Sequence, residues 1–306
     1  MPKPKYRTNN WKQYNQHLID RGSITFWIDE SAIEEWNCSE HHGGRGRGFI
    51  YSDTAIETAL MVKKVFRLSL RALQGFMNSV FQLMDVPLSC PNYSSISKRA
   101  KDLDISIKFP SSGEIKHLAI DSTGLKVFGE GEWKVKKHGS EQRRSWRKLH
   151  LAVDAQTHDI IGAQLSLSRT ADSEVLPDLL KQTRRQIKQV SGDGAYDTGH
   201  CYEAIMAKRA QALIPPRKNA AKWEIDHPRN YAVICQNLTG SNRYWKKQTD
   251  YHQRSLSETA MFRFKMLFGD KLNLRHYNSQ IAEAMAAIRA MNKLTRIGMP
   301  ETCKVA

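Results

Sequence analysis

Apolar and polar positions divide the chain into a helical first third and a strand-rich remainder. Helical spacing runs from Asp53, as a cap, to about Arg67, and from a Ser69 cap to about Met84. After a break at residues 87–91, a third segment runs from about Asn92 to Leu103. It starts with small polar groups and carries Lys98 and Arg99 one turn later, which suits a helix whose start meets base edges while its cations meet phosphates. A three-helix domain that only packs is the alternative. From residue 115 the period becomes two: His117–Asp121 is a short apolar strand, and Trp146–Val153 and Ile160–Leu167 form a hairpin about the turn Asp154–Asp159. Ser173 to about Ile187 reads as helix, Gln189–Asp193 as strand, Thr198 to about Arg209 as helix and Ala212–Ile214 as a last strand. Antiparallel strands followed by strands alternating with helices predict an α/β (α+β) core, a mixed sheet flanked by helices. The expected domains are a basic and aromatic arm (1–50), a small helical, helix-turn-helix-like DNA-binding domain (51–110) and a core (111–306) that includes a C-terminal helix.

The pattern at residues 251–265 sets Tyr251, Arg254, Glu258 and Lys265 at offsets of zero, three, seven and fourteen. On one helix, at about 100° per residue, these four fall within roughly 60°. Leu256, Ala260, Phe264 and Leu267 fall opposite, so the helix would pack on a core while presenting a carboxylate flanked by a phenol and two cations. The plainer reading is a surface helix whose Glu258 pairs with Arg254.

Two further carboxylates stand at strand ends: Asp121, before Ser122-Thr123-Gly124, and Asp193, within Gly192-Asp193-Gly194-Ala195-Tyr196-Asp197. Ligands meet sheets at such ends, and glycines beside a carboxylate let phosphates approach. Three oxygen donors without His or Cys spacing point to Mg²⁺ or Mn²⁺. Two such ions about 4 Å apart suit in-line phosphoryl displacement. Asp154 and Asp159 are accounted for by the turn, and Asp197 as a cap for the helix near Thr198.

Composition agrees with a polyanionic partner. The 306 residues carry a formal charge of +16, and residues 111–306 hold 32 of the 47 basic side chains. The segment from Lys126 to Lys148 has eight cations against three acids, interleaved with Trp133 and Trp146; Lys136, Lys137, Arg143 and Arg144 are expected to line a DNA channel, or else a solvated strand face. The glycine- and arginine-rich stretch from His41 to Gly48 either follows a phosphate backbone or is a linker. Five scattered cysteines argue for a reducing compartment. Cys38 with His41 and His42 lacks the second ligand pair of a zinc site. No segment reads as a leader or membrane span, so a cytoplasmic, nucleoid-associated protein is expected. Ile281, Met285, Ile288 and Met291 line one side of a C-terminal helix from about Ser279 to Leu294, facing the core or a partner. Trp223 and Trp245 are packing residues or wedges for a flipped base.

Taken together, these motifs resemble a bacterial insertion-sequence transposase of the DDE class, with a ribonuclease-H-like core and nearest the insertion-sequence-five family. The Y-x2-R-x3-E-x6-K pattern is complete at Tyr251, Arg254, Glu258 and Lys265, and the likeness extends from the helical N-terminal domain through Ile214-Pro215-Pro216-Arg217 to the C-terminus. The 64 residues between Asp193 and Glu258 agree with a pattern lacking a large insertion. The resemblance implies a triad of Asp121, Asp193 and Glu258 holding two Mg²⁺ ions, with Mn²⁺ as a substitute. It also implies that Tyr251, Arg254 and Lys265 contact phosphates of the element's end. The partners implied are double-stranded DNA, both terminal inverted repeats and target, and at least a homodimer in the active complex. The alternative is a catalytically silent, transposase-derived DNA-binding regulator.

Overall fold

Serines start the first helices. Ser52 Oγ accepts from the Ala55 N–H at 3.1 Å and opens α4 (Asp53–Val65), so Ser52, one residue ahead of Asp53, is the cap. Ser69 caps α5 (Leu70–Leu83), accepting from Ala72 N at 3.2 Å, and Asn92 caps α6 (Tyr93–Arg99), accepting from Ser94 N at 2.9 Å. Three helices precede these: α1 (Trp11–Asp20), α2 (Ile24–Trp27) and α3 (Glu30–Glu34). The computed structural model describes residues 5–39, 48–107, 113–127 and 146–305. These divide into two compact units, Met1–Ile105 with His276–Ala306, and Ser106–Arg275.

The C-terminal helix, α12 (Tyr277–Ile297), belongs to the first unit and not to the core as the sequence predicts. It packs on α4, and Met285, Ile288, Met291 and Leu294 are buried there, each contributing about 1.5–3 kcal/mol. Charge explains the pairing: Glu283 of α12 is fully buried and accepts from Lys63 Nζ at 3.0 Å and Lys64 Nζ at 3.2 Å, both on α4. Burial pushes the Lys64 pKa down, against the pull of Glu283. Arg289 pairs with Glu57, and Lys293 with Asp29 at 2.7 Å. β1 (Lys5–Thr8) runs antiparallel to β8 (Thr302–Val305), bringing the chain's two ends together. Residues 84–92 join α5 to α6, a longer link than the turn of about 3–4 residues in a helix-turn-helix.

The second unit is the mixed α/β sheet flanked by helices that the sequence predicts. β2 (Ile115–Val127), β3 (Trp146–Asp154) and β4 (Ile160–Leu167) form an antiparallel meander, while β5 (Ile187–Ser191) and β6 (Gln211–Leu213) join parallel to β2. The order is β4-β3-β2-β5-β6, and β7 (Lys271–Leu272) pairs in parallel with the far end of β2 at Lys126 and Val127. On one face, Leu118, Ile120, Ala152 and Ile161 pack with Val175, Leu176 and Leu179 of α7 (Asp172–Lys181) and with Tyr202 and Ile205 of α8 (Gly199–Ala207). Three later helices complete the unit: α9 (Arg229–Thr239), α10 (Arg243–Gln248) and α11 (Ser255–Phe268).

Candidate active site

The parallel register of β2 and β5 brings the two aspartates together. Ala119 pairs with Ser191, and Asp121 and Asp193 each lie two residues farther on, so they extend neighbouring strands from the same edge. β2 does not end at Asp121. It continues to Val127 against β3, so Ser122, Thr123 and Gly124 are strand residues; what stops beyond Ala119 is the pairing with β5, which opens the crevice. At Asp193 the chain turns into a short 3-10 helix (Gly194–Tyr196), with Asp193 Oδ1 accepting from Ala195 N at 2.9 Å. Gly192 is needed for close approach, because a Cβ there would stand 2.7 Å from the Tyr196 ring. The space beside Gly192 is therefore filled by Tyr196 and is not a phosphate path. A Cβ on Gly194 would make only ordinary contacts.

The third carboxylate, Glu258, comes from a helix late in the unit. Tyr251 and Arg254 lie in a 3-10 turn (Asp250–Arg254) that leads into α11, so the four-residue pattern spans a turn and a helix instead of one continuous helix. The buried stripe of α11 is Ser257, Ala260, Met261, Phe264 and Phe268; Leu256 and Leu267 are half-buried. This rotation leaves Glu258 exposed, with half-buried Lys265 about 20° away around the helix.

Arg254 joins the set. Its Nη1 lies 3.3 Å from Asp121 Oδ2 while Nη2 donates to Glu258, one guanidinium bridging two of the three acids. The plain pairing of Glu258 with Arg254 is thus present, within a larger cluster. Asp121 also accepts from the Ser122 N–H at 2.8 Å. Burial raises the Asp121 pKa; the Ser122 N–H and Arg254 lower it, and the negative charges of Asp193 and Glu258 raise it again. Burial pushes the Tyr251 phenol up to about 12, helped by Asp193, Asp121 and Glu258 against Arg254, so it is a donor at neutral pH. Tyr251 packs against Trp245 as a tilted ring pair with centroids 5.4 Å apart, and both belong to one small buried cluster. Trp223 lies against Tyr202 at 5.3 Å and under the Arg229 guanidinium at 4.2 Å. Both tryptophans pack internally, and neither is presented as a wedge.

Among the described residues no group of three or more His, Cys, Asp or Glu side chains is poised to hold a metal ion. The donor chemistry nevertheless fits a hard divalent cation: the carboxylates of Asp121, Asp193 and Glu258 act on one another electrostatically, and Arg254 now makes the ion pairs to two of them.

Other predicted residues fall elsewhere. Lys98 on α6 is exposed, but Arg99 is held inside its own unit, donating to Tyr51 O at 2.7 Å and Asp53 at 2.5 Å and lying over the Phe49 ring. That explains Arg99 as a clamp on the start of α4. Lys136, Lys137, Arg143, Arg144 and Trp133 lie outside the described residues, as do His41 and His42. The described flanks of the basic segment are paired, Lys126 with Asp270 at 3.2 Å and Lys148 with Asp172 at 3.1 Å. Asp197, read as a cap, is a buried clamp that accepts from Arg229 Nε at 2.5 Å and Nη2 at 2.8 Å, and from Arg217 N at 3.1 Å. Sequence reading also missed the α7-side network in which His150 Nε2 meets Ser166 Oγ at 2.8 Å and Nδ1 faces Asp172 at 3.7 Å. Period-two spacing of Lys148 and His150 on a buried strand was the available signal.

Two sequence models described as "Transposase DDE domain" match the chain, one over residues 19–130 and the other over residues 112–293. Among solved structures, the piggyBac transposase synaptic complex with hairpin DNA is 10% identical, with 90% of this chain and 73% of that one covered and a TM-score of 0.44. The Mos1 mariner paired end complex with Mn is 10% identical, covering 85% of this chain and 87% of that one at a TM-score of 0.24. The simian T-cell lymphotropic virus intasome in complex with PP2A regulatory subunit B56 gamma is 13% identical, covering 72% and 68% at 0.26.

Proposed function

Because the chain belongs to the transposase DDE-domain family, we propose that it cuts DNA at the ends of a bacterial insertion sequence of the insertion-sequence-five type and joins the freed 3′-OH to target DNA. The observation that carries this reading is the convergence of Asp121, Asp193 and Glu258 on one sheet edge, with Arg254 tying the first to the third. Water attacks a phosphodiester at the element's end and releases a 3′-OH; that hydroxyl then attacks a target phosphodiester, displacing a second 3′-OH. Both steps are in-line displacements at phosphorus, so one site serves both.

Asp121, Asp193 and Glu258 are the residues that would hold two Mg²⁺ ions, or Mn²⁺ in their place. Bound there, the cations supply charge that stabilises the entering and leaving oxygens. Arg254, Lys265 and the protonated Tyr251 phenol grip the phosphates on either side, fixing the reacting phosphorus against the carboxylates. Lys98 and the basic segment containing Lys136, Lys137, Arg143 and Arg144 extend the contact to the terminal repeat and target. Two element ends require at least a homodimer in the working complex. Among the described residues no helix is long and apolar enough to cross a membrane; a protein that works on DNA in this way would act in the cytoplasm, at the nucleoid.

A pre-cut end with a free 3′-OH tests the transfer step. With Mg²⁺ and a plasmid target, joined product is expected from the wild type and none from Asp193→Asn. Cleavage of uncut ends without any joining would make the protein a nuclease.

A further inference from the structure

Behind the two aspartates a row of polar side chains crosses the sheet. His117 of β2 is buried, and its ring reaches two residues of β5: Nε2 lies 2.7 Å from Ser191 Oγ, and Nδ1 lies 3.3 Å from Gln189 Oε1. Gln189 Nε2 in turn donates to Gln211 Oε1 on β6 at 3.1 Å. Register sets this row. His117 pairs with Gln189 and Ala119 with Ser191, and the strand's alternation puts His117, Ala119 and Asp121 on one face of β2.

The hydrogens along the row follow from its far end. Gln189 commits its amide nitrogen to Gln211 and presents its oxygen to His117, so Nδ1 carries the ring hydrogen and donates to Gln189. Nε2 is then the acceptor of a neutral ring, and the Ser191 hydroxyl donates to it. Burial holds the His117 pKa below its ordinary value, against the pull of Gln189 and Asp250, which agrees with a neutral ring. From Ser191 through His117 and Gln189 to Gln211 every donor points the same way, so each bond polarises the next.

Ser191 is fully buried and is the last residue of β5. Its pairing with Ala119 is the final rung between β2 and β5, and Asp121 and Asp193 each follow two residues later, beyond the ladder. The distance between the two carboxylates is therefore not fixed by backbone pairing, and the His117–Ser191 bond ties the strands at the rung nearest to them. Both strands also pack on the 3-10 turn that carries Tyr251 and Arg254.

We infer that His117 and Ser191 are positioning residues that set the spacing of Asp121 and Asp193 and so the grip of the two carboxylates on divalent cations. The inference rests on the two-cation reading above and names the side chains that hold its geometry. Ligating groups must stand within about 0.5 Å of their working positions, a tolerance that one loosened strand end exceeds.

The test is isothermal titration with Mn²⁺ in the absence of DNA, run beside thermal melting, DNA binding and Mg²⁺-dependent cleavage of the element's end. The proteins compared are the wild type, Ser191→Ala and the double variant His117→Leu/Ser191→Ala. Ser191→Ala leaves the buried Nε2 without its donor. It should melt lower, bind Mn²⁺ about tenfold more weakly and need about tenfold more Mg²⁺ for half-maximal cleavage, with DNA affinity unchanged. The double variant replaces both partners by apolar groups, so it should recover most of the melting temperature but not the metal affinity. Wild-type Mn²⁺ affinity in either variant would overturn the inference and leave the two-cation reading intact. A metal affinity that recovers together with the melting temperature in the double variant would also overturn it, because the bond would then serve folding alone. A wild type that binds no Mn²⁺ would overturn both.

Discussion

Arg254→Gln removes the cation that joins Asp121 to Glu258, and the expected result is tighter metal binding in the absence of DNA. The Nη1 contact at 3.3 Å reaches a carboxylate whose side chain is only 19% exposed, so it is worth about 1.5–3 kcal/mol as a hydrogen bond to a charged group. The second arm, to the more exposed Glu258, adds about 0–1 kcal/mol. A divalent ion must displace these contacts before it can be held by Asp121 and Glu258. With solvent returning part of the loss, the net competition is about 2 kcal/mol, or about thirtyfold in affinity. Isothermal titration with Mn²⁺ at neutral pH, without DNA, measures this directly. The variant should bind more tightly by that factor. Its metal-free form should also melt several degrees lower, because Asp121 and Glu258 lose the cation that bridges them, and Mn²⁺ should restore the loss. Unchanged or weaker Mn²⁺ binding by Arg254→Gln would refute the view that the guanidinium occupies the cation's electrostatic place.

Further outcomes follow from the two units. Glu283→Gln removes the buried carboxylate that pairs with Lys63 and Lys64, and should cost about 3–5 kcal/mol in urea unfolding of the first unit. Burial lowers the His150 pKa to about 4, so the unfolded chain binds the extra proton first as pH falls. Its contribution, about 3 kcal/mol at most, is present above about pH 6.5 and lost down to about pH 4. His150→Gln should flatten denaturant midpoints across that window. Gly192→Ala must push the Tyr196 ring from a 2.7 Å approach, costing about 1–3 kcal/mol and moving the turn that carries Asp193. DNA cleavage should therefore fall further than thermal stability, as parallel cleavage and melting assays would report.

Local signals made much of the molecule legible. Ser69 caps the helix expected of it, the third helix starts after Asn92 though it ends at Arg99 and not near Leu103, β4 spans the residues predicted for it, and Gly192-Asp193-Gly194 lies beyond β5 as a strand-end carboxylate should. What escaped were contacts between residues far apart in sequence. Arg254 meets Asp121 across 133 positions, and Arg229 meets Asp197 across 32, and the local pattern that marks Arg254 does not name Asp121 as its partner. The place of α12 depended on Glu283, whose partners lie 220 residues earlier on α4. Helical periodicity shows that Met285, Ile288 and Met291 are buried, but it does not show against which helix. The 3-10 turn before α11 was hidden for a related reason: a helical spacing pattern fits a turn leading into a helix nearly as well as a helix throughout.

The most direct test of the central claim is Mg²⁺-dependent cleavage of a duplex carrying the gene's own flanking end, comparing the wild type with Glu258→Gln, which keeps the side chain's shape and removes its charge. The account predicts a defined 3′ cut by the wild type, and a variant that binds the same duplex without cutting it. Cutting by the variant at the wild-type rate, or binding without cutting by both proteins, would contradict it.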